Sequence, residues 1–161
     1  MATSGYWFES GPIHMTDTYS STLGIDWNTD IGAGKVKAIL TYGTSPDTHY
    51  QDWLHYSDVI GELTTGGGYT AGGKALATPT VGMVTDTDRY VRYDAADLTW
   101  AASFTAGPFR WMIFYKDTGT ASTSPLVGWH NMGSDTTGAG GDFTYQFDTL
   151  GGVFRSKVPH P

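Results

Sequence analysis

The chain contains no cysteine, so disulfides and thiolate metal centres are ruled out, and with them a small disulfide-stapled scaffold. Charge is also scarce: charged residues make up 16%, while aromatics reach 14% and glycines number 22, a balance that fits an all-β chain with many turns. Helix-forming runs of Leu, Glu and Lys are few. The nine basic residues form no cluster and are outnumbered by sixteen acidic ones, giving a formal net charge of -7. Binding a phosphate backbone needs concentrated Lys and Arg, so no nucleic acid partner is expected. No apolar run approaches the roughly 18 residues of a membrane helix. The N-terminus lacks the basic-then-apolar order of a signal peptide. The expectation is a soluble chain with no membrane partner, made in a cytoplasm.

At 161 residues the chain suits one domain with a substantial core. Its organising stretch is Phe109 to Lys116. Alternation along a strand places Phe109, Trp111, Ile113 and Tyr115 on one face and Arg110, Met112, Phe114 and Lys116 on the other. Both faces are apolar near the middle, which predicts a central strand covered on two sides. Further strands are expected at 35–42, 75–84, 90–93, 98–104, 142–148 and 153–157, with a short one at 126–130, a loop over 133–141 and a tight hairpin at Gly151-Gly152. Tyr50, Trp53, Leu54, Tyr56, Val59 and Ile60 recur at three- and four-residue spacing, predicting a partly helical connection over 48–63 with Ser57 as a cap. Seven or eight short strands joined by Gly-rich turns indicate an antiparallel β-sandwich, with a jelly roll as one arrangement and a closed barrel as the alternative.

Residues 1–24 read as an N-terminal arm, 25–158 as the sandwich domain and 159–161 as a C-terminal tail. A short helix is expected over 14–23. Tyr6, Trp7 and Phe8 are three adjacent aromatics that one strand face cannot cover, so they need a surface to lie on. That surface is either their own domain or a neighbouring subunit; on the second reading Tyr6, Trp7, Phe8 and Ile13 form a protein interface.

Motifs that mimic reactive sites fail on context. Gly68 to Lys74 satisfies G-x-x-x-x-G-K, but Ala75 stands where a P-loop has its hydroxyl and Pro79 interrupts the would-be helix, leaving a glycine loop that leads into a strand. Lys116-Asp117-Thr118-Gly119-Thr120 resembles the phosphorylated-aspartate signature of cation pumps with its first two residues reversed, and reads as a polar turn. His14, His49, His55, His130 and His160 show no metal-ligand spacing. Asp86 with Asp88, and Asp94 with Asp97, read as solvated turn residues. Ser4, Ser10, Ser122 and Ser124 lie on no nucleophile elbow. No catalytic, cofactor or metal residue is assigned, which favours a binding or assembly protein over an enzyme.

Three blocks occur in order: Glu62-Leu63 through Gly68 to Leu76, then Asp94 to Trp100, then Tyr115 to Thr120 with Thr123 to Leu126. With Ile25-Asp26-Trp27 before Lys35-Val36-Lys37, and Gly141-Asp142-Phe143 late in the chain, this set resembles a family of tailed-bacteriophage virion structural proteins. The family usually opens with a short amphipathic helix, where this chain has its aromatic arm. The resemblance implies a β-rich virion component without enzymatic activity or cofactor. On that footing the chain is expected to be a capsid decoration, or cement, protein on the outer surface of the major capsid lattice. It would be assembled in the host cytoplasm, with the major capsid protein and neighbouring copies of itself, as a homotrimer, for partners. A tail or fibre module that binds a receptor or glycan is the alternative, with Trp53, Tyr56 and Trp129 as stacking platforms.

Overall fold

A computed structural model describes residues 6–7, 24–85, 89–101 and 103–157. Its centre is β7 (Phe109–Lys116), flanked by β2 (Val36–Thr41) and β8 (Leu126–Thr136). These three form the middle of a five-stranded antiparallel sheet in the order β1-β8-β7-β2-β3, closed at one edge by β1 (Tyr6–Trp7) and at the other by β3 (Lys74–Ala75). Opposite it lie two smaller antiparallel sheets. One is β10-β5-β4, from Phe154–Lys157, Arg89–Asp94 and Thr80–Thr85; the other is β6-β9, from Leu98–Trp100 and Phe143–Tyr145.

Two cores follow from the two-sided apolar character of β7. Between the layers, Val36, Ala38, Leu40, Met112, Phe114 and Val127 pack against Leu98, Trp100, Tyr145, Phe147 and Phe154. On the other face Ile39, Trp111, Ile113, Tyr115, Leu126 and Trp129 are covered by Trp53, Tyr56 and Val59 from the 42–63 connection. The fold is an antiparallel β-sandwich with one sheet covered on both faces. Helix α1 (Trp27–Gly32), capped by the Asp26 side chain on the Thr29 N–H, is fixed to the opposing layer by Trp27 Nε1 donating to the Asp94 carbonyl at 2.8 Å.

Several local expectations are corrected. Phe109 packs with Met112 and Phe114 and not with Trp111, beside an irregularity where residues 131–136 of β8 oppose only 109–111 of β7. The expected strand over 75–84 is two strands in different sheets, parted where Thr78 takes φ 52°. Strand 98–104 stops at Trp100; Ser103 has φ 75°, though Phe104 returns to the core. β8 runs through Thr136, so part of the expected loop over 133–141 is strand. A tight turn does close at Gly152, whose N–H bonds the Asp148 carbonyl, but β10 then pairs with β5 and not with β9. The 48–63 connection has no α-helix, only a 3-10 turn at Tyr56–Asp58 after another at Pro46–Thr48; the cap is His55 with Asp58, not Ser57. The helix expected over 14–23, and the 159–161 tail, lie outside the described residues.

Candidate functional site

Three clusters carry the polar chemistry of the fold. The first is centred on Glu62. Its Oε1 accepts from the Tyr69 hydroxyl at 2.8 Å and from the Gly72 N–H at 2.7 Å, while Oε2 accepts from the Tyr56 hydroxyl. Tyr115 stacks on Tyr56 with ring centroids 4.5 Å apart and donates to the Gly72 carbonyl at 2.8 Å. The arrangement ties the connection, the glycine loop and β7 together. Burial, then the neighbouring Glu62 carboxylate, pushes the Tyr56 and Tyr69 phenols well above their ordinary range; burial, then Asp117, does the same for Tyr115. Glu62→Gln keeps the shape but removes the charge on which three donors converge. It is expected to cost about 1–2 kcal/mol, read as a lower urea midpoint with an unchanged slope.

The glycine loop owes its path to close backbone approach. Gly73, at φ 77°, would place an added Cβ 2.1 Å from the Ala38 carbonyl oxygen, so only glycine fits where the loop meets β2. Lys74 then enters β3 opposite Ala38, and a strand follows the G-x-x-x-x-G-K stretch where a P-loop would have a helix.

The second cluster is an ion pair under α1. Lys116 Nζ lies 2.9 Å from Asp30 Oδ2, with side chains 8% and 9% exposed, and also donates to the Gly24 carbonyl. Asp30 Oδ2 accepts in addition from the Asp26 N–H at 3.0 Å. The cluster pins Gly24 and α1 to the end of β7.

The third is His130, 1% exposed. Its Nδ1 lies 2.8 Å from the Tyr145 hydroxyl and its Nε2 lies 2.7 Å from the Val153 carbonyl oxygen. A carbonyl only accepts, so the proton sits on Nε2 and Nδ1 accepts from Tyr145. Phe114, Phe147 and Phe154 surround the ring. Burial holds the imidazole down at about 4, with the bond to Val153 opposing part of that shift.

The residues singled out by sequence fall elsewhere. Asp117 pairs with Lys37 at 2.6 Å and accepts the Gly119 N–H, while Thr118 and Ser124 bond within the turn, the polar-turn geometry expected of this motif. Asp94 accepts the Ala95 N–H and Asp97 accepts the Phe147 N–H. His49 stacks on Trp53 with centroids 4.9 Å apart. Ser122 lies in the 3-10 turn Ala121–Thr123. Ser4, Ser10, His14, His160, Asp86 and Asp88 lie outside the described residues. Among the described residues no three His, Asp or Glu side chains converge as a metal site, and no helix is long and apolar enough to cross a membrane.

Two of the three stacking platforms of the glycan alternative are buried, and the third is half-buried. Trp53 and Trp129 are buried in the second core, where Trp129 Nε1 also donates to Asp47, and Tyr56 lies against Tyr115. Of the expected interface residues, Tyr6 and Trp7 form β1, paired in register with Trp129 and Gly128 of the same chain. Phe8 and Ile13 lie outside the described residues. Glu62 and the Lys116–Asp30 pair were not singled out from sequence, although Lys116 shares alternation with Met112 and Phe114 and so signals a cation entering the core. Comparison of the chain with protein-family models, curated proteins and solved structures finds no match.

Proposed function

We propose that this chain is a structural component of a tailed-bacteriophage virion, a decoration protein that binds the outer surface of the major capsid lattice and stabilises the head. The observation that carries the reading is the attachment of the N-terminal segment. It joins the sandwich as a two-residue strand on the outer edge of β8, through Tyr6 opposite Trp129 and Trp7 opposite Gly128. Strand addition at a sheet edge depends on backbone groups, so an edge that accepts its own arm is equally suited to the arm of a neighbour. The ordered sequence blocks that resemble virion proteins supply the context. The strongly perturbed groups also have internal employment: Tyr56, Tyr69 and Tyr115 in the Glu62 cluster and His130 between the layers. No cofactor is called for. Neighbouring copies, as a trimer, and the major capsid protein are the partners, and many weak contacts across capsomer seams resist the pressure of packaged DNA.

Counting the copies per purified particle tests the reading. Hundreds of copies, co-sedimenting with expanded capsids and raising their resistance to heat, are expected; a handful of copies remote from the shell overturns it. Removal of residues 1–24 is expected to lower occupancy on the capsid, and unchanged occupancy overturns the role of the arm.

A further inference from the structure

The sheet edges of this fold are unequally protected. The outer edge of β8 takes β1, and β3 is only two residues long. Beyond β3 the edge of β2 is covered, since the Tyr42 N–H bonds the Gly61 carbonyl and the Leu63 N–H bonds the Leu40 carbonyl. β10 carries Arg155 and Lys157, charges of the kind that discourage edge pairing, and β6 and β9 are three residues each.

Among the described residues β4 has none of these devices, although helix α1 packs near it. It is a six-residue edge strand, Thr80-Val81-Gly82-Met83-Val84-Thr85, paired to β5 without a register shift. No charged side chain occurs anywhere in residues 75–85. Among the described residues no backbone group of Thr80–Thr85 bonds outside the β5 ladder. Val81 and Met83, two apart and therefore on one face, are 45% and 52% exposed.

We infer that β4 is a self-recognition edge, pairing antiparallel with β4 of a second copy about a two-fold axis through Gly82 and joining two three-stranded sheets into one. An axis perpendicular to the sheet keeps each face on its own side, so opposed residues must point the same way. Gly82 then meets its counterpart, and Val81 meets Met83 of the second copy at both ends of the contact, covering the exposed apolar side chains with each other. Charge selects the occupant. Copies of a chain with net charge -7 repel one another over most of their surfaces, and this uncharged strand lets two of them approach without opposing like charges. A strand pair of this length buries a few hundred Å² per partner, short of the roughly 800 Å² of a stable dimer. The contact is therefore weak between free chains and strong between copies already held side by side. It does not depend on the capsid reading.

The absence of cysteine makes the test direct. A Cβ added at Gly82 meets nothing within 4 Å, and the backbone there is not left-handed, so Gly82→Cys fits the fold. Under mild oxidation Gly82→Cys is expected to form disulfide dimers about tenfold more readily than a control Ala121→Cys on the exposed turn after β7, because opposed residues in such a pair lie within disulfide reach. Adding Met83→Lys should return the yield to that of the control. In sedimentation of the unmodified chain, weight-average mass should rise at millimolar concentration, and Val81→Lys should abolish the rise. Equal yields from Gly82→Cys and Ala121→Cys, or a monomer at every concentration, overturn the inference.

Discussion

Replacement of Lys116 by methionine is expected to destabilise the fold by about 3–5 kcal/mol, because it leaves the Asp30 carboxylate buried without its counter-charge. The methionine fills most of the space of the lysine stem, so the loss reports the charge and not a cavity. The Gly24 carbonyl loses its donor in the same step, loosening the attachment of Gly24 to the end of β7. The double variant Lys116→Met with Asp30→Asn removes both charges and keeps an acceptor for the Asp26 N–H, and it should recover at least half of the loss. Urea unfolding of the two variants decides the matter. A cost near zero for Lys116→Met alone would mean that water reaches the pair and screens it.

This ion pair also shows what alternation reveals and what it hides. The parity of β7 placed Lys116 with Met112 and Phe114, toward the interior, and that is where it lies. Parity said nothing of which acid would meet it, since Asp30 is on a helix whose position depends on Trp27 reaching the Asp94 carbonyl far along the chain. The same strand departs from alternation at Phe109, which joins the inter-layer core beside a register shift that lies in β8 and leaves no mark on the sequence of β7. In β8 a second shift, between Phe114 and Tyr115, lets Leu126 and Trp129 share the outer core while Val127 turns inward. Strict alternation would have separated Leu126 from Trp129.

The connection over 48–63 is less helical than expected for a different reason. Trp53, Tyr56 and Val59, which cover the outer core, lie on a mostly irregular path with a 3-10 turn only at Tyr56–Asp58, while Tyr50, Leu54 and Ile60 are exposed. Counting all six as one helical face merged an inner row with an outer one. Glu62 escaped notice because its partners Tyr56, Tyr69 and Gly72 come from both sides of it in sequence and converge only when the glycine loop folds back on β2. The sandwich itself was legible, because a doubly apolar strand among Gly-punctuated short strands has few ways to cover both faces.

Acid should act on this fold in two separate steps, the first through His130. Its folded-state value of about 4 lies below the ordinary 6.5 of an unfolded imidazole, so between those limits the unfolded chain binds the extra proton and the folded chain does not. Stability is therefore full above pH 6.5, declines as pH falls through the window, and levels off below about 4, for a total loss of about 3 kcal/mol. Protonation would require Nδ1 to become a donor facing the Tyr145 hydroxyl, inside a ring of Phe114, Phe147 and Phe154 that solvates no charge. The carboxylates come into play only lower down. Asp26 is held below its ordinary 3.8 by the Thr29 N–H, Asp117 by Lys37 and Asp148 by the Gly151 N–H, so their stabilising contributions are intact above that value and disappear as pH falls through the lowered ones. Urea midpoints measured from pH 8 to 3 should show the first decline in the unmodified chain and not in His130→Gln, which keeps a donor and an acceptor but does not titrate. An equal decline between pH 6.5 and 4 in both proteins would assign the acid sensitivity to groups other than this buried ring.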